Sequence, residues 1–163
     1  MLKKIWRLID YVPSKRKPFP IVVFLEIVMP ILDKKFTLEI NEDDDMESGM
    51  LHGNTIPSTN TIQLKNTVYD NAVDGNGMDR MTIGHEIGHY LLHFDVEPQF
   101  ASIVSDYSIP AYKSAEWQAK AFAGELLIPY TEARNMSVKE IMETFQVTED
   151  AAKYQREKAK NTC

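Results

Sequence analysis

Apolar positions along the chain follow two periods, one helical and one extended. Ile21, Phe24, Leu25 and Val28 recur at i, i+3, i+4 and i+7, the rhythm of one helix face, and Pro20 suits the first turn. Pro30 is expected to end or kink that helix. Phe36 to Ile40 alternates apolar with polar and reads as a strand. Further short strands are expected at Met50-Leu51-His52 and Thr61 to Lys65, separated by turns at Gly53-Asn54 and Pro57 to Asn60. Thr67 to Val73 predicts a short helix, stopped at Asp74 to Gly77. Asp79 is the expected N-cap of a helix reaching about His93, whose Met81, Ile83, Ile87, Leu91 and Leu92 mark it as packed against a core. After a polar linker containing Pro98 and Pro110, Ser114 caps a helix from Ala115 to about Leu127. Two more helices, Val138 to Phe145 and Glu149 to about Lys158, follow the hydroxyl caps Ser137 and Thr148. Strands come first and helices afterwards, which predicts an α+β fold: a small antiparallel or mixed sheet on a mainly helical core.

The 163 residues suit one domain, and a chain of this size buries roughly 70% of its unfolded surface. Three parts are expected: a basic N-terminal arm over 1–17, a core over 18–134, and a helical pair over 135–163 packed on that core. The arm carries Lys3, Lys4, Arg7, Lys15, Arg16 and Lys17 and is expected to be a solvated tail. With the apolar run from Phe19 to Leu32 it mimics a signal peptide. Glu26, Pro20 and Pro30 interrupt that run, no small-residue cleavage site follows, and it falls short of the roughly 20 residues that span a bilayer. A buried helix, a cytoplasmic protein and no membrane partner are therefore expected. The lone Cys163 excludes an intramolecular disulfide and agrees with a reducing compartment. A net charge of −6 disfavours nucleic acid unless a local patch is strongly basic. The acidic run Glu42 to Asp45 lacks the glycine and distal glutamate of a calcium loop and reads as a solvated turn.

The chemistry lies in His85-Glu86-Ile87-Gly88-His89. Residues four apart share a helix face, so the two imidazoles can share one zinc ion. Glu86, a further 100° round, is suited to take a proton from water. A catalytic zinc takes a third protein ligand. His93 lies about 12 Å along the axis from His85, too far for one ion. Asp95 has metzincin spacing, but Leu92 stands where that arrangement needs a glycine. Glu116, on the next helix, is the better candidate, with Glu97 and Glu125 as rivals. Ala115, Ala119 and Ala123 form a small-residue stripe that lets this helix approach Gly84 and Gly88 closely.

The block Arg80 to His93, followed by Glu116 to Pro129, resembles the ImmA/IrrE metallo-endopeptidases in order and spacing. A weaker resemblance extends over about residues 20 to 158. It implies a zincin-like core, His85, His89 and Glu116 as ligands of one zinc ion, and Glu86 as general base. Members of known role cut helix-turn-helix transcriptional repressors of mobile elements and stress responses, so the resemblance implies a regulatory protease with such a repressor as its partner. One position departs. Where the family usually has asparagine, this chain has Lys120, which cannot accept a hydrogen bond from a ligand imidazole and is expected to swing outward.

Thr61 to Lys65 is the expected edge strand for holding an extended substrate. Tyr107, Tyr112 and Tyr130 are candidate oxyanion donors among which nothing selects. Two other functions compete. The helices around Gln146-Val147-Thr148 are similar to a helix-turn-helix, with Lys153, Arg156, Lys158 and Lys160 for phosphates, but Glu140, Glu143, Glu149, Asp150 and Glu157 nearly balance them. A zinc-binding interaction module without peptidase activity, a toxin-antitoxin partner or scaffold, is the other.

Overall fold

The computed structural model describes residues 2–42, 52–93 and 114–161. Helix α1 (Leu2–Leu8) opens the chain. The segment expected to be a solvated arm is docked instead: Ile5 is buried in the core. Aromatic rings draw it in, because Trp6, Tyr11, Phe19 and Phe24 follow one another with centroids 6.1, 5.2 and 5.7 Å apart.

Next come α2 (Ile21–Val23), a π-helical stretch (Phe24–Val28) and α3 (Met29–Leu32), which run on as one rod. Pro30 does not end it. The widened turn just before Pro30, where the Met29 N–H bonds the Phe24 carbonyl, absorbs the missing donor and the bulk of the ring. Nor is this helix buried all round. Phe24, Leu25, Val28 and Met29 face the core, whereas Val23, Ile27, Ile31 and Leu32 face outward.

Strands β1 (Thr37–Asn41), β2 (Gly53–Ile56) and β3 (Thr61–Lys65) form a mixed sheet in the order β1-β3-β2. β1 runs parallel to β3 and β2 antiparallel to it, with Gly53 opposite Leu64 and Thr55 opposite Ile62. Of the strand expected at Met50-Leu51-His52, Met50 and Leu51 lie outside the described residues; the turn expected at Gly53-Asn54 is instead part of β2. Glycine is favourable there because a Cβ would stand 2.9 Å from Leu64 Cδ2 and 3.2 Å from Glu86 Cγ. Of the acidic run, Asp43 to Asp45 also lie outside the described residues.

After α4 (Asn66–Val73), the long α5 (Gly77–His93) begins three residues earlier than expected. Asn76, not Asp79, caps it, accepting hydrogen bonds from the Met78 and Asp79 amides. α6 (Ala115–Leu127), capped by Ser114, then lies along α5. The small-residue reading holds: a Cβ on Gly88 would stand 3.0 Å from both Cα and the carbonyl oxygen of Ala119, and one on Gly84 3.2 Å from Ala123 Cβ.

The chain finishes with α7 (Tyr130–Ala133), α8 (Val138–Phe145), capped by the reciprocal Ser137–Glu140 pair, and α9 (Glu149–Asn161). α9 rests on α6, α7 and α8 with Ala152, Gln155 and Ala159 turned inward. Of its cations, Lys158 bonds Glu125 and Lys153 bonds Glu149, at 2.8 and 2.7 Å. Buried Arg80 ties the pieces together, donating to the carbonyls of Phe19 (2.8 Å) and Gln146 (3.1 Å). Ile62 and Leu64 of β3, Ile83 and Ile87 of α5, and Leu126 and Leu127 of α6 meet in the core. Among the described residues no helix is long and apolar enough to cross a membrane.

Candidate metal centre

α5 presents His85 and His89 on one face, and close packing against the glycines brings the first turn of α6 over them. The two Nε2 atoms stand 3.0 Å apart. Glu116 closes the triangle, with Oε1 3.0 Å from His89 Nε2 and Oε2 3.3 Å from His85 Nε2. Among the described residues this is the group of three whose donor atoms converge closely enough for a metal ion. Ligands at roughly 2.0–2.1 Å from a tetrahedral ion lie about 3.3 Å from one another, so the three separations fit one shared cation. Two nitrogens and a carboxylate oxygen also match the chemistry that zinc and its neighbours accept.

Electrostatics favours the same reading. Burial, more than any other influence, lowers the proton affinity of both imidazoles; His89 adds to this at His85 and His93 adds to it at His89, while Glu116 pulls the other way. The rings are therefore biased toward the neutral, lone-pair-bearing form that ligates.

Glu86 is nearly buried, and desolvation pushes its carboxyl above the usual range. A hydrogen bond from Thr55 opposes that rise: Oγ1 lies 2.7 Å from Glu86 Oε2 and 3.0 Å from the Glu86 carbonyl. Thr55 escaped the sequence reading because β2 was expected elsewhere. The available signal was Gly53 two residues before it, since glycine within a strand marks close approach of a neighbour.

Two of the alternative ligands, Glu125 and His93, stand apart from the site. Glu125 is engaged with Lys158, and His93, at the end of α5, has its ring 5.7 Å from that of His89 and stands outside the converging group. Asp95 and Glu97 lie outside the described residues, as do Tyr107 and Tyr112. Tyr130 begins α7 and does not line the cleft around the histidines. Lys120, expected to swing outward, lines it instead: although exposed, it sits near enough for its charge to lower the proton affinity of His85. The expected substrate edge also moves. β3 is hydrogen-bonded on both sides and can accept no further strand, whereas among the described residues β2 is an outer strand of the sheet and borders the cleft with Gly53, Asn54 and Thr55.

The cleft has a volume of about 1220 Å³. Beyond the histidines its described walls are largely apolar, with Met78, Met81, Trp117, Ala151 and Tyr154. Residues 40–156 match the sequence model of the family Peptidase_M78, described as an IrrE N-terminal-like domain. No curated protein matches the chain.

Proposed function

Because the chain belongs to the Peptidase_M78 family of metallopeptidases, we propose that it is a zinc-dependent endopeptidase that cuts a helix-turn-helix transcriptional repressor. The observation that carries this reading is the triangle of His85, His89 and Glu116 with the buried Glu86 beside it. His85, His89 and Glu116 would hold the ion. Once bound, zinc supplies Lewis acidity and makes a nearby water molecule far easier to deprotonate.

The protein's own groups do the rest. Glu86 takes the proton from the attacking water and returns it to the leaving amine nitrogen, a shuttle helped by a carboxyl whose proton affinity burial has raised. Thr55 holds one carboxylate oxygen in place, so the other is presented in a fixed direction. The margin of β2 offers main-chain groups on which an extended peptide can pair, aligning its carbonyls with the cleft.

Lys120 supports a second reading, a metal-binding interaction module with little turnover, because a cation beside His85 opposes a bound cation. One experiment separates the two. The purified protein with zinc is incubated with candidate helix-turn-helix repressors, in parallel with Glu86→Gln. Cleavage by the wild type alone, with equal zinc content in both proteins, is the expected result. Cleavage by both sinks the assigned role of Glu86. Tight repressor binding with cleavage by neither selects the module.

A further inference from the structure

The rod formed by α2, the π turn and α3 is exceptional in what it shows to solvent. Val23, Ile27 and Ile31 are 51, 57 and 63% exposed, and Leu32 46%. A π turn takes more residues than an α turn, so positions four apart across Phe24–Val28 fall nearly on one line. The outcome is a continuous branched-aliphatic stripe, where an ordinary surface helix carries polar side chains. None of these residues lines the metal cleft.

Charge decides what fits the stripe. Exposed Lys15, Arg16 and Lys17 precede the rod and exposed Lys34 and Lys35 follow it, in a chain whose net charge is −6. Arg16 faces Glu132 at 3.7 Å, which leaves the four lysines as the main contribution. Besides Glu132, Glu26 and Asp33 lie along the rod and accept hydrogen bonds from tyrosine hydroxyls, Tyr69 donating to Glu26 at 2.5 Å and Tyr90 to Asp33 at 2.6 Å. A second copy of this chain is a poor occupant. Pairing two such rods, parallel or antiparallel, brings basic ends together.

We propose that this face docks on an anionic lipid surface, the aliphatic stripe entering the acyl boundary while the lysines at its two ends meet phosphate or carboxylate headgroups. A rod of twelve residues is about 18 Å long and lies in the interface instead of crossing it. The proposal stands whether or not the cleft is catalytic.

The full chain is sedimented with vesicles of phosphatidylcholine alone, or with about one quarter phosphatidylserine. Binding to the anionic vesicles and not to the neutral ones is expected. Ile27→Ser with Ile31→Ser should reduce it at least about tenfold. Lys34→Gln and Lys35→Gln, which leave the packing of the rod untouched, should each reduce it about fivefold. Val73→Ser, an exposed apolar residue of α4, should bind like the wild type. Failure to sediment with anionic vesicles overturns the proposal, as does equal binding by the isoleucine and lysine variants. Ultracentrifugation without lipid adds another check: a wild-type dimer abolished by the isoleucine pair assigns the stripe to self-association and also refutes lipid docking.

Discussion

Replacing Gly88 by alanine tests the structural basis of the metal centre most directly. The new Cβ would stand 3.0 Å from Ala119 Cα, 3.0 Å from the Ala119 carbonyl oxygen and 3.2 Å from Phe122 Cδ1. Relaxed carbon contacts are about 3.5–4.0 Å, and the two closest atoms are backbone, so α6 must withdraw by roughly half an ångström. Overpacking of this kind costs about 1–3 kcal/mol, while alanine returns about 1 kcal/mol of helix propensity. The net expectation is a loss of about 1 kcal/mol, or a melting temperature lower by about 2–4 °C in the metal-free protein. Glu116 lies one turn from Ala119 on the same helix, so the withdrawal also carries its carboxylate away from the histidines. Zinc affinity, measured by competition with a chelator, should fall on the order of tenfold. Gly84→Ala is the internal control. Its Cβ meets the Ala123 methyl at 3.2 Å and otherwise makes ordinary contacts, so propensity and crowding nearly cancel and both readouts should hardly move. A Gly88→Ala protein that melts at or above the wild-type temperature and binds zinc equally well would refute the claim that glycine spacing sets the ligand geometry.

Other outcomes follow from the same contacts. Arg80→Ala strips hydrogen bonds from the buried carbonyls of Phe19 and Gln146 and should cost about 2–4 kcal/mol in urea unfolding, with zinc affinity little changed in the folded fraction. Thr55→Val removes the donor that fixes Glu86 and should lower turnover of a repressor substrate about tenfold while zinc content stays at the wild-type level. Tyr90→Phe probes Asp33, whose carboxyl is held below its ordinary range first by the Tyr90 hydroxyl and then by the Lys35 amide. A depressed carboxyl stabilises the fold above its unfolded pKa and loses that contribution as pH falls through the folded value. The stability difference between wild type and Tyr90→Phe should therefore be full at neutral pH and shrink below about pH 4, as read from paired thermal melts.

Local rules alone determined much of this protein. The helix boundaries at Ala115, Leu127, Val138 and Phe145 emerge from capping residues and apolar spacing, and the structure reproduces them. The histidine pair needed only the periodicity of a helix, because residues four apart on a rigid rod have no freedom to diverge. The choice of Glu116 rested on a packing inference, alanines facing glycines, and close approach of α6 to α5 is what the structure displays.

What depended on chain segments meeting at a distance was decided only by the tertiary structure. Weak alternation around residues 50–56 allows several strand registers, and pairing with β3 selects Gly53–Ile56. That selection brings Thr55 to Glu86 across 31 positions and makes β2, not β3, the margin beside the cleft. A basic, amphipathic start reads as a tail until a chain of aromatic rings gives it somewhere to pack. In the same way, an apolar run gives the hydrophobicity of a helix but not which of its sides the core will cover. That depends on how much surface the neighbouring elements have left to offer, a quantity no window of sequence contains.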